Sequence, residues 1–79
     1  MASLKVHITF PEGRIKEPII YQIGQEYKVV TNIRRADVTE KTGWMDVELV
    51  GDAGEIDRAV AALKHKGVKV DLIERNIIE

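Results

Sequence analysis

Cysteine is absent from this chain of 79 residues, which excludes disulfides, thiolate metal sites, iron–sulfur ligation and a thiol nucleophile together. A single domain of this length buries only about 60% of the surface that its unfolded chain exposes, so packing or association must replace cross-links. An excess of charge of one sign is also missing, since twelve basic residues face thirteen acidic ones for a net charge of −1. A general nucleic-acid binder needs a strong basic field, and no nucleic-acid partner is expected. No apolar run approaches the roughly 20 residues of a membrane span, and MASLKVHITF lacks the apolar centre of a signal peptide. The expectation is a cytoplasmic protein without membrane insertion. No set of residues assembles a catalytic centre, so a binding role without catalysis or cofactor is expected.

What the chain does have is patterning. Leu4, Val6, Ile8 and Phe10 alternate with Lys5, His7 and Thr9, the period of two that gives a strand one dry and one wetter face. Pro11, Gly13 and Pro18 punctuate a loop, and Pro18 suits the first turn of a helix because its missing N–H would be unpaired there anyway. A helix beginning near Glu17 follows, with Ile19, Ile20, Ile23 and Tyr27 on one stripe. Gly24 weakens it by about 1 kcal/mol relative to alanine, a cost that close helix-to-sheet packing could explain. Val29 to Val38 reads as a second strand whose alternation slips, and a β-bulge near Arg34 and Arg35 reconciles its two halves.

Glu40 to Gly43 make a turn, after which Met45, Val47 and Leu49 alternate with Trp44, Asp46 and Glu48 as a third strand, hairpin partner of the second. Asp52, followed three residues later by Glu55, resembles a capping box. Ile56, Ala59, Val60 and Leu63 form the buried stripe of a second helix. Lys64, His65 and Lys66 offset the negative end of its dipole, and Gly67 suits a left-handed C-cap. Val68, Val70 and Leu72 alternate with Lys69 and Asp71 as a fourth strand, leaving Glu74 to Glu79 as a tail.

The order β-α-β-β-α-β predicts one α+β domain over 1–79, a ferredoxin-like sandwich with a four-stranded antiparallel sheet, strand order 4-1-3-2, and both helices on one face. Right-handed crossovers place strands one and three at the centre. Strict alternation then puts His7, Thr9, Trp44, Asp46, Glu48 and Lys69 on the open face. Val6, Ile8, Met45, Val47, Leu49, Val68 and Val70 should lie beneath the helices.

TNIRRADV, GWMDVELVG and IDRAVAALKHKGVKVDLI together resemble the NIL domain, named for an Asn-Ile-Leu motif. The likeness covers nearly the whole chain: Asn32 and Ile33 match the first two motif positions, Gly43 and Gly51 bracket the third strand, and Gly67 to Val70 match the entry to the last. The resemblance implies a ferredoxin-like fold and a homodimer. It also implies a regulatory role, as on the ATPase subunit of methionine-importing ABC transporters or beside iron–sulfur proteins, here in free-standing form. Transporter members bind methionine near the dimer interface through the motif asparagine, so Asn32, Ile33 and Arg34 are the candidate ligand-binding residues. Arg34 occupies the motif's leucine position, and its permanent charge favours a carboxylate-bearing or otherwise anionic ligand.

Each candidate also has a plainer role. Asn32 can hydrogen-bond an amino-acid ligand or its own backbone at a bulge. Arg34 and Arg35 can clamp a carboxylate, or form a solvated edge matched to Asp37 and Glu40. Trp44 suits an interface or a ligand pocket, because leaving an indole in water is unfavourable. His7 has outward parity, where Asp46 or Glu48 can pair with it, and it joins Trp44 as a candidate interface residue. His65 is expected to serve the helix dipole, and the two histidines lie too far apart for a metal site.

Two other functions remain open on this reading: an adaptor that docks an enzyme or iron–sulfur partner without binding a metabolite, and an ACT-like amino-acid sensor, whose glycine-bearing turn after strand one has only Gly13 to represent it. An RNA-recognition motif would need stacking aromatics on the central strands, and strand one offers only His7. An acylphosphatase would need a phosphate cradle around Arg14, and that signature is missing.

Overall fold

The structure, a computed structural model, describes residues 1–14 and 18–77; the expected helix start at Glu17 lies outside them. Four strands, β1 (Ala2–Phe10), β2 (Val29–Val38), β3 (Gly43–Gly51) and β4 (Lys69–Ile77), alternate with the helices α1 (Ile19–Glu26) and α2 (Ala53–His65). They form one antiparallel sheet in the order β2-β3-β1-β4, the expected 4-1-3-2 arrangement of the ferredoxin-like fold.

Register makes the core. Leu4 lies opposite Leu49, Val6 opposite Val47 and Ile8 opposite Met45, so three apolar pairs stack along the two central strands on the covered face. Leu4, Val6, Ile8, Val47 and Leu49 are 3% exposed or less. At eight residues, α1 is too short to persist alone in water, and burial of Ile19, Ile20 and Ile23 holds it on the sheet. The Cβ of an alanine at Gly24 would meet Thr31 only at 3.7 Å, an ordinary contact. Close packing therefore does not require that glycine. Gly51 is different, because a Cβ there would come within 2.7 Å of the Lys28 carbonyl oxygen.

Helix α2 buries Ile56, Ala59 and Leu63. Its start differs from the expected capping box: Asp52 is the N-cap but its side chain makes no capping hydrogen bond, and Glu55 turns away. The Glu55 carboxylate accepts the Lys28 backbone N–H at 2.9 Å and is gripped by Arg58. These two contacts, the backbone bond first, hold its pKa below the usual glutamate value against the opposing effect of burial. A backbone donor in the α1-to-β2 connection has taken the acceptor that local sequence assigned to the helix start. The other end follows expectation, with Gly67 at φ 89°, its N–H on the Lys64 carbonyl at 3.0 Å and the Val68 N–H on Leu63 at 3.3 Å. That is a Schellman closure, with buried Leu63 and Val68 as its apolar contact.

Both edge strands are bulged. In β2 the register shifts between Ile33 and Arg35, leaving Arg34 as the extra residue. In the β1–β4 pairing, Val6 lies opposite Leu72 while Lys5 lies opposite Glu74, which leaves Ile73 unpaired. This corrects the expected tail: Glu74 to Ile77 continue β4 alongside Lys5 to Ala2, and residues 78–79 lie outside the described part. The adjacent apolar residues Leu72 and Ile73 look like the end of an alternating strand, but one unpaired residue restores the alternation.

Candidate functional site

The uncovered sheet face and the outer edge of β2 both lie outside the core, as does the edge strand β4, where Leu72 and Ile73 are exposed. On the open face the register aligns a row across all four strands: Arg35 opposite Asp46, Asp46 opposite His7, His7 opposite Asp71. Asp46 is the hub. Its carboxylate, only 10% exposed, meets His7 Nδ1 at 2.7 Å through one oxygen and accepts Arg35 Nε at 3.0 Å and Nη2 at 2.7 Å through the other. The His7 bond and then the Arg35 bonds hold its pKa below the ordinary aspartate value, while burial opposes them.

Trp44, two residues before Asp46 and on the same face, stacks on the His7 ring at 5.3 Å with 28° between planes. The Arg35 guanidinium lies 5.8 Å from the indole centre, within cation–π range. Outside this cluster, Lys5 reaches Glu74 at 3.5 Å and Lys69 reaches Asp71 at 4.0 Å. The expected pairing of His7 is thus made by Asp46. For Arg35, the expected mates Asp37 and Glu40 are replaced by Asp46, because the bulge at Arg34 sets Arg35 opposite Asp46 and Asp37 opposite Trp44. Counting the bulged residue through the hairpin would have found this pairing.

At the β2 edge the motif residues diverge. Asn32 is opposite Glu48, on the open face, and Ile33 is opposite Val47, on the helix side. Arg34 is the extra residue of the bulge, exposed and without a side-chain partner among the described residues. Within one chain these three do not converge on a pocket. Ile33 is 53% exposed, and Val30 and Val38 on the same strand are 60% and 47% exposed. His65 is exposed on α2, in the layer opposite His7. Among the described residues no group of three or more His, Asp or Glu side chains is placed to hold a metal ion, and no helix is long and apolar enough to cross a membrane.

A split βαβ sandwich with one bare sheet face and a bulged edge carrying an Asn-Ile pair is, as a class, a ferredoxin-like α+β module. The family model of the NIL domain matches residues 4–72, and the chain belongs to that family. No curated protein sequence matches it. Among solved structures it is similar to the C-terminal domain of an ABC transporter ATP-binding protein from Enterococcus faecalis, at 27% identity and a TM-score of 0.77 over 89% of this chain and 82% of that one. It also shares its fold with the de novo designed protein Foldit4, at 14% identity and a TM-score of 0.63 over 99% and 98% of the two chains.

Proposed function

We propose that this NIL domain is a non-catalytic regulatory module in which two copies meet along β2 and a small molecule, an amino acid such as methionine or a more anionic relative, is taken up beside Asn32, Ile33 and Arg34. The observation that carries the reading is the state of the β2 edge. Three apolar side chains, Val30, Ile33 and Val38, are exposed on a strand whose outer backbone has no ladder partner among the described residues. A second copy covering that edge buries them and brings two sets of motif residues together, which one chain does not do. Asn32 offers both donor and acceptor to an amino acid, and the uncommitted Arg34 guanidinium offers a fork to its carboxylate. The likeness to a transporter ATPase domain supports a cytoplasmic, transporter-related setting.

The adaptor reading has one observation in its favour: Arg35, half of the arginine pair, is already bound to Asp46 and has less to offer a metabolite. Solution mass combined with thermal denaturation against an amino-acid panel tests the proposal. A dimer whose melting temperature rises with one amino acid supports it, because a ligand of the native state stabilises by mass action. A dimer that responds to none supports the adaptor, and a persistent monomer removes the seam.

A further inference from the structure

We propose that the outer edge of β4 takes up an extended segment of another protein as an added strand, with an aliphatic side chain of that segment in the groove between β4 and α2 and an acidic side chain two residues further on beside Lys64. β4 has β1 on one side and no strand on the other, so its outward N–H and C=O groups are open to a ladder. Asp57, Val60 and Lys64 recur at spacings of three and four and so share one flank of α2. That flank faces Val70, Leu72 and Arg75 across a groove of about 180 Å³. Small-molecule sites run to roughly 300–1,000 Å³, and this one is the size for a side chain. Leu72 is 62% exposed, and Val60 and Val70 are only partly buried, so a branched aliphatic group placed there finds apolar neighbours in both layers. In strand addition the main-chain bonds supply affinity and pockets for alternate side chains supply selectivity. The β4 edge offers both.

Charge selects the segment. At one end of the groove Arg75 is matched by Asp57 at 3.5 Å. Lys64, about two turns further along α2, is exposed and has no partner among the described residues, so the lining carries an uncompensated positive charge. Each strand pair of the sheet is antiparallel, and an added strand that keeps this pattern runs from the Arg75 end toward Lys64. Its residue opposite Leu72 precedes its residue opposite Val70 by two, and both point to the helix side, which sets the order as aliphatic first and acid second. The bulge at Ile73 confines regular pairing to residues 69–72, so a short segment suffices. Neither edge strand of a second copy supplies it. The helix-side residues are Val29, Thr31, Ile33, Ala36 and Val38 in β2 and, up to residue 75, Val70, Leu72 and Arg75 in β4, and none is acidic. The site shares no residue with the β2 seam and does not depend on the function proposed above.

Amide chemical shifts and hydrogen exchange of the 79-residue chain, titrated with short end-capped peptides rich in threonine, test this assignment. The first peptide carries leucine and, two residues later, glutamate; the second has lysine in place of the glutamate, and the third has leucine and glutamate in reverse order. The first is expected to shift Val60, Lys64 and residues 69–72 and to slow exchange at every second amide of 69–72, as outward N–H groups gain partners. It should bind about threefold or more tightly than either of the others. Lys64→Glu, at an exposed helix position, should reverse the preference in favour of the lysine peptide. Leu72→Ser, at an exposed strand position, should weaken binding of the first peptide by about tenfold. The proposal is overturned if the first peptide leaves β4 unmoved at about 1 mM, if the lysine or reversed peptide binds the parent as tightly, or if both variants behave as the parent. Shifts centred on β2, or the same groove shifts from N-acetylleucine amide at equal concentration, would also overturn it, the latter because a small molecule then needs no strand. A parent chain whose solution mass falls on Leu72→Ser would place a second copy on this edge and overturn it as well. Ile33→Lys reports on the β2 seam separately, so either site can fail alone.

Discussion

The open face of the sheet and the outer edge of β2 both lack helical cover, yet they differ in how far their groups are already answered. On the face, Asp46 is bound by His7 and Arg35, Trp44 is flanked by the same two residues, and Lys5 and Lys69 have carboxylate partners. Along the edge, Asn32 to Val38 are all exposed, with Ile33 and Val38 apolar. An uncovered polar face can be complete in itself. An edge with open backbone groups and solvated aliphatic side chains is not, and for this reason the β2 edge fits a second copy better than the Trp44 face does.

If this contrast is right, substitutions should sort by region. The greatest loss belongs beneath the helices: Leu49→Ala is expected to cost about 2–5 kcal/mol in urea denaturation, against about 0.5 kcal/mol or less for Glu48→Ala on the open side of the same strand. Comparable losses at both positions would mean that the open face is held more tightly than its partial exposure suggests. Next comes Asp46→Asn. The folded-state pKa of Asp46 lies below the ordinary value of 3.8, so its stabilising effect is present above that value and is lost as pH falls below it through the folded pKa. Denaturation midpoints followed from neutral pH into acid should fall less steeply in the variant. Equal slopes would show that the open-face network does not hold in solution, and the contrast with the edge would collapse.

A smaller, opposite effect is expected at Gly24→Ala, which should stabilise by about 0.5–1 kcal/mol because the helix gains propensity and Thr31 leaves room. A loss there would show that α1 sits closer to β2 than its contacts indicate. The least change in stability, about 0.5 kcal/mol or less for the isolated monomer, is expected of Ile33→Lys, which should nevertheless convert a dimer to a monomer by light scattering. A dimer that survives the lysine would move the seam away from β2.

Most of the fold was legible because alternation and helical spacing are local. The parity of His7, Trp44 and Asp46 followed from the period of two alone, as did the bulge near Arg34. The features that escaped involve partners distant in sequence. Glu55 could not be read as the acceptor of the Lys28 N–H, because a capping signature three residues long carries no record of a chain segment 27 residues away. The length of β4 was hidden by Ile73, an extra residue visible only once β1 is laid beside it. Arg35 was matched to nearby acids because one bulged position separates the pairing expected from the one formed. The divergence of Asn32 and Ile33 to opposite faces was implicit in alternation, but its meaning for a ligand depends on a neighbouring molecule.

Trp44 is the chain's one indole, and it is held between an imidazole and a guanidinium on one side of the sheet. Fluorescence excited where only indole absorbs therefore comes from a single address. Its colour and intensity follow what happens beside His7 and Arg35: loosening of the stack or arrival of a neighbour. The helices hold no indole and are optically silent at that wavelength, so one spectrum distinguishes an event on the bare side of the sheet from one among the helices, with no label attached.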